Sequence, residues 1–264
     1  MLTHPDQTAI SPAPPPFEAL NPDGAAPILL VCDHASRLVP PALDQLGLAD
    51  AHFDKHIAYD IGAQEITRLL SVRLDAPAIL GTVSRLVVDL NRAPGDPGSI
   101  PEISDSTPVP GNQNLTGAEL DRRIEDWFRP YHAAVTDQLA RMWRRGDPPA
   151  IFSVHSFTPT MGGQDRIWDI GVLWNRDPRM ARILIEHLNA WGGFTVGDNE
   201  PYSGKDIAYT LDRHAGAAGL PNVAVEIRQD HVETEVEAHH WADILAGVLR
   251  EITAEPNLFA VEHF

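Results

Sequence analysis

The chain of 264 residues reads as a single α/β domain, with a mostly parallel or mixed central sheet and helices on both faces. Three observations predict this class. Apolar runs of strand length alternate with longer segments of helical period, the pattern of a sheet covered by helices. Most of those runs are continuous rather than alternating, which implies strands buried on both faces. The length lies at the upper edge of one domain and suffices to bury a large core without disulfides or metals.

Residues 1–25 carry Pro5, Pro12, Pro14, Pro15, Pro16 and Pro22 and few large apolar groups, so they read as an extended arm outside the core. The domain is expected to begin near Ala26 and to run from 26 to 264. Strands are predicted at 27–32, 77–82, 86–90, 150–154, 170–174 and 223–227. Helices are predicted at 50–74, 117–145, 178–191, 207–217 and 233–252. In the first helix Phe53, Ile57, Asp60 and Gln64 follow the helical period, which puts a carboxylate on a face that also presents apolar groups. The second helix opens on a capping box of Thr116 and Glu119, and Leu120, Ile124, Trp127, Tyr131, Val135, Leu139 and Met142 follow at steps of three or four. Pro130 should kink it. Residues 93–115, rich in Pro, Gly, Ser and Asn, are too many for a plain connector; a lid over the site and an oligomer contact both fit them.

Composition narrows the function classes. The chain is 43% hydrophobic and 22% charged, and no run of about 18 apolar residues offers a membrane span. Its start, Met1-Leu2-Thr3-His4-Pro5, lacks the features of a secretory signal, so a cytoplasmic location is expected. Cys32 is the only cysteine; it allows no intrachain disulfide and reads as a small buried hydrophobe. A formal net charge of -17 with scattered arginines argues against nucleic acid as a partner. An anionic small molecule can bind only where a few arginines reverse the local field. Oligomeric state is not legible.

Ligands of open α/β sheets bind beyond the carboxyl ends of the strands. Three predicted strands end there in polar residues: the first runs into Asp33-His34, the fourth into His155-Ser156, and the sixth carries Glu226. Neutral imidazoles are good zinc ligands, and catalytic zinc takes three protein ligands and keeps one open position. Asp60 is the candidate third ligand, since an unpartnered buried carboxylate is costly and ligation would compensate it. Glu226 suits a general base whose pKa burial raises. Ser84-Arg85-Leu86-Val87-Val88-Asp89-Leu90-Asn91-Arg92 reads as a strand bracketed by two guanidiniums, with Asn91 adding amide donors, a carboxylate-binding arrangement.

Each assignment has a structural alternative. His34 alone is an ordinary hydrogen-bonded imidazole, and the matching position of His155 is what favours ligation. Asp60 equally serves as a cap or the partner of an arginine. Glu226 has Arg228 on the same strand face, or Arg85, as ion-pair partners. Arg85 and Arg92 have Asp89 and Asp96 nearby. Asp33 and Ser36 are expected to orient His34. His214 is either a second proton carrier or part of a solvated helix face. Pro201-Tyr202-Ser203-Gly204 reads as a turn or as pocket lining, and His239-His240 read as exposed.

Taken in order, Asp33-His34-Ala35-Ser36, Asp60-Ile61-Gly62, the stretch 84–92, Val154-His155-Ser156-Phe157 and Val225-Glu226-Ile227-Arg228 resemble the motifs of the N-formylglutamate amidohydrolase family over roughly residues 28–250. The resemblance implies a zinc-carboxypeptidase-like fold and an amidohydrolase domain over 26–264. It also implies one zinc per chain between His34, Asp60 and His155, with Glu226 as base and Asn91-Arg92 as a clamp for the substrate carboxylate. The implied reaction is hydrolysis of the N-acyl amide of a small amino acid, with N-formyl-L-glutamate as the representative substrate. Arg37 is a departure: zinc carboxypeptidases carry a glutamate three residues after the first histidine. A carboxypeptidase, another N-acyl amino acid deacylase, a non-catalytic dicarboxylate binder, and cobalt or manganese in place of zinc are the alternatives.

Overall fold

The computed structural model describes residues 14–255 and 257–264. Among them the sheet strands are β1 (Phe17–Leu20), β2 (Ile28–Cys32), β3 (Ala78–Gly81), β6 (Ala150–Phe157), β9 (Ile170–Leu173), β10 (Val196–Asp198) and β11 (Asn222–Arg228). Two small hairpins, β4 (Ile103–Ser104) with β5 (Thr107–Pro108) and β7 (Thr160–Met161) with β8 (Gln164–Asp165), stand outside it. The α-helices are α1 (Ala63–Leu74), α2 (Gly117–Arg123), α3 (Arg129–Trp143), α4 (Arg179–Trp191), α5 (Tyr209–His214) and α6 (Glu235–Ala254).

The sheet runs β1-β3-β2-β6-β11-β9-β10. Its centre, β3, β2, β6 and β11, is parallel, while β1 and β9 pair antiparallel to their neighbours and β10 runs with β9. The mixed sheet of one α/β domain is therefore as the sequence predicts. The period-2 pleat divides the core in two. Ile28, Leu30, Phe152, Val154, Val223 and Val225 pack with α1, α4 and α6, whereas Leu29, Val31, Ile79, Ile151 and Ala224 face α3 and α5. Each fully buried side chain of this size contributes about 1.5–3 kcal/mol relative to exposure.

Three expectations are corrected, and one strand is added. Residues 86–90 form no strand: they lie in a buried loop whose backbone is satisfied by side chains. Asn112 donates to the Leu86 carbonyl at 2.8 Å, and Arg123 to that of Val87 at 3.0 Å. Only the second half of 50–74 is α-helix; Asp60 sits in the turn ahead of α1, where Gly62 at φ 79 bends the chain. A Cβ there would lie 2.7 Å from the Val232 side chain and carbonyl, so the turn needs glycine. Part of the arm, Phe17–Leu20, pairs with β3 as an edge strand; residues 1–13 lie outside the described residues. The short edge strand β10 was not anticipated.

The helix around Pro130 adapts as its ring requires. Between α2 and α3, Ile124–Phe128 widens into a π-turn in which the Arg129 N–H reaches the Ile124 carbonyl, which accommodates the missing proline donor. The Thr116 capping box is present, with Glu119 returning a bond to the Thr116 N–H. Among the described residues no helix is long and apolar enough to cross a membrane, and Cys32 is buried and free.

Candidate active site

His34 follows β2 where the chain leaves the sheet, and its carbonyl accepts the Asp60 N–H at 3.0 Å. His155 lies in β6 and Glu226 in β11, directly opposite each other in the parallel register. Same-face geometry follows from that register. The loop carrying Arg85, Asp89, Asn91 and Arg92 is fastened below by Ser84 Oγ on the Ala58 carbonyl at 2.8 Å, and above by the Asp89 N–H on the Ser99 carbonyl at 2.7 Å.

These elements bring His34, Asp60 and His155 together, with one ligand atom from each within 4.8 Å of the others. Asp60 Oδ2 lies 3.2 Å from His34 Nδ1 and 2.8 Å from His155 Nδ1. A carboxylate stands behind each ring: Asp89 Oδ1 is 2.8 Å from His34 Nε2, and Asp33 Oδ2 is 3.3 Å from His155 Nε2. The Asp33 carboxylate is held by the Tyr131 and Thr210 hydroxyls, each donating to Oδ1 at 2.8 Å. Asp33 Oδ2 therefore lies beside His155 rather than His34, while His155 Nε2 meets Ser153 Oγ at 3.0 Å, and the Ser36 hydroxyl accepts the Leu38 N–H instead of serving either ring. Asp89, read from the sequence only as an arginine partner, is the residue that backs His34.

Burial opposes every charge in this cluster, and neighbours decide the outcome. Burial alone would raise the Asp60 carboxyl, but His34 and His155 outweigh it and hold the group well below the usual carboxylate range. For Asp89 burial is likewise outweighed, by His34 and Arg85. Both imidazoles are raised, because the carboxylates around them overcome desolvation. Glu226 goes the other way: burial pushes it up to about 7. Its Oε2 is buried without a hydrogen-bond partner. Among the described residues Glu226 makes no ion pair; Arg228 is taken by Asp169 at 3.0 Å and Asp230 at 2.8 Å.

The arginines divide in role. Arg85 spends its terminal nitrogens on Asp60 at 3.3 Å and Asp89 at 2.8 Å. Arg92 approaches Asp89 and Asp96 only at 3.8 and 3.9 Å, so it is the looser guanidinium. Asn91 uses its side chain to join the loop to α5, accepting the Thr210 N–H at 2.9 Å and donating to the Ile207 carbonyl at 3.3 Å. All of these line a cavity of about 360 Å³ together with the three clustered residues and Glu226. Part of 93–115, including Ile103 and Asp105, also lines the cavity, as do Met161 and Tyr202.

His214 lies in neither of the two places anticipated for it. It is buried and stacked on His132 with the ring planes 16° apart, and His132 Nδ1 accepts from His214 Nε2 at 2.8 Å. The tautomers follow from the far end, where His132 Nε2 donates to the Leu90 carbonyl at 2.9 Å. Burial pushes both rings down to about 4. His239 and His240 are exposed.

The ordered strand-end motifs, now seen to converge on one cavity, coincide with a family model. The N-formylglutamate amidohydrolase model matches residues 26–232. The chain belongs to the N-formylglutamate amidohydrolase family. That membership makes it an amidohydrolase with a small-molecule substrate. The crystal structure of a gene product from Agrobacterium tumefaciens is 34% identical with a TM-score of 0.87, covering 89% of this chain and 94% of that one. The N-formylglutamate amidohydrolase of Ralstonia eutropha shares the fold at 20% identity and a TM-score of 0.62, covering 90% of this chain and 97% of its own. No curated protein matches the sequence.

Proposed function

We propose that the chain is a zinc-dependent amidohydrolase that cleaves the N-acyl amide of a small carboxylate-bearing amino acid, with N-formyl-L-glutamate, giving formate and glutamate, as representative substrate. The observation that carries the reading is a charge imbalance. Asp33, Asp60 and Asp89 are almost fully buried around two imidazoles, and Arg85 is the one guanidinium bonded into the group. Beyond Arg85 these carboxylates call for two positive charges, which the raised imidazoles supply when protonated and a divalent ion supplies when both rings are neutral ligands. A divalent ion between His34 Nδ1, His155 Nδ1 and Asp60 meets that need, and two nitrogens with one oxygen make a donor set suited to catalytic zinc. When bound, zinc supplies an acidified water and a polarised carbonyl.

The chain's own residues supply the rest. Asp89 on His34 Nε2 and Ser153 on His155 Nε2 hold both imidazoles with Nδ1 turned toward Asp60. Glu226, which lines the cavity, takes the proton from the attacking water and delivers it to the leaving amide nitrogen. Arg92 binds the substrate carboxylate, Asn91 fixes the loop that carries it and offers its remaining amide hydrogen, and Arg85 contributes positive field beside the reacting carbonyl. The work is expected in the cytoplasm, one zinc per chain.

Metal content and formate release from N-formyl-L-glutamate, before and after chelation, test the proposal. About one zinc per chain, with release lost on chelation and restored by zinc, is the expected result. Zinc without release moves the substrate to other N-acyl amino acids or to peptides. Failure to take up zinc, even when it is offered back, overturns the reading.

A further inference from the structure

Arg166 stands just after β8, at the base of the hairpin whose Met161 lines the cavity. Its backbone is pinned: the N–H donates to the Pro159 carbonyl at 2.9 Å, and its carbonyl accepts from Arg228 at 3.2 Å. The side chain packs against residues that line the cavity. The guanidinium carbon is 4.7 Å from the centroid of the Tyr202 ring and 5.6 Å from that of Phe157, within cation–π range of both. Its terminal nitrogens donate to the Thr158 carbonyl at 3.4 Å and to Met161 Sδ at 2.9 Å. Tyr202, Phe157, Thr158 and Met161 all line the cavity.

This is an unusual resting state for a guanidinium in a chain of net charge -17. Arg166 forms no ion pair among the described residues. A thioether is a weak acceptor and a 3.4 Å contact is long. The stacking on two rings limits the entropy lost on binding, and a carboxylate in the outer cavity would replace the weakest of its partners with a bidentate one. Of the two arginines that line the cavity, Arg85 is committed to two aspartates and Arg92 is assigned to the carboxylate beside the scissile amide.

We propose that Arg166 is a specificity-determining residue that binds a second, distal carboxylate of the substrate, so that the enzyme selects acidic N-acyl amino acids over neutral ones of the same shape. The proposal rests on the amidohydrolase reading for the placement of the first carboxylate on Arg92.

The test compares N-formyl-L-glutamate with N-formyl-L-glutamine, which differs by one charge, in wild type, Arg166→Met and Arg166→Lys. Wild type should favour the glutamate compound. Arg166→Met should lower its kcat/KM by about 10-fold to 100-fold, mostly through KM, and change the glutamine compound little; a charge-assisted bond of this kind is worth that much. Arg166→Lys should recover part of the preference. A second readout needs no turnover: glutarate, whose carboxylates have the spacing found in glutamate, and its monoamide are titrated by calorimetry. Glutarate should bind more tightly to wild type, and that margin should vanish in Arg166→Met. An unchanged margin in the variant, or none in wild type, overturns the proposal. Loss of the glutarate margin with no formate released from either compound retains Arg166 and overturns the hydrolase reading instead.

Discussion

Asp89 sets its Oδ1 2.8 Å from Nε2 of His34, on the side of the ring away from Asp60. That contact fixes which nitrogen His34 turns toward a metal, because Nε2 must carry the hydrogen that Asp89 accepts. Asp89→Asn keeps the size and loses the charge. It should weaken zinc binding by about 10-fold to 100-fold, read by competition with a chromophoric chelator. An unchanged affinity would show that Asp89 serves only Arg85.

Glu226 is the group whose removal should separate chemistry from binding. Glu226→Gln should lower kcat by about 10²-fold to 10⁴-fold, the range for loss of a general base, with zinc content and KM near wild type. With Glu226 pushed up to about 7 and active as its carboxylate, kcat/KM in wild type should rise with pH through that region and then level. A profile flat from pH 5 to 8 counts against the base assignment.

Gly98 makes a quieter prediction. A Cβ at this position would sit 2.9 Å from both Cδ and Nε of Arg92. Gly98→Val should therefore displace the Arg92 side chain and raise KM by about 10-fold while the fold stays intact; misplacing a binding group by about 1 Å is enough to cost that much. Circular dichroism and zinc content should not change.

The buried imidazole pair sets the acid limit of stability. Both His132 and His214 are pushed down to about 4 by burial, below the value of about 6.5 expected in the unfolded chain. Between those values the unfolded state binds more protons, so stability falls as pH is lowered from about 6.5 to about 4 and is fully present above 6.5. Near the middle of this window the slope should reach about 1.4 kcal/mol per pH unit for each ring that titrates alone. His214→Gln should flatten the dependence, measured as urea unfolding free energy at successive pH values. An equal slope in the variant would falsify this origin of the acid sensitivity.

Much of this architecture can be read from residue order. His34, His155 and Glu226 were found because each closes or interrupts a continuous apolar run, and such runs are legible wherever a strand is buried on both faces. The same logic misled at 86–90. Leu86, Val87, Val88 and Leu90 are as buried as any strand, but the carbonyls of Leu86, Val87 and Leu90 are met by the side chains of Asn112, Arg123 and His132, distant pairings that no local pattern reports. Asp60 was selected for the right burial and the wrong geometry: its apparent helical period spans a turn, and only its place in the family pattern pointed past that. Phe17–Leu20 was hidden among prolines, since one edge strand carries too few residues to show a period. Arg166 and His132 have no local signature. Their meaning depends on what the tertiary fold sets beside them.

The antiparallel turn of β9 against β11 gives the molecule two kinds of wall. His155 and Glu226 stand on central strands, whose movement would disturb the whole sheet. The hairpin before β9 is exposed and carries few obligations to the core, whereas the long segment before α2 is tied into it by Ser99, Val109 and Asn112. A lineage can lengthen, recolour or exchange that one flap and so change what is admitted, while the hydrolytic machinery below is inherited intact.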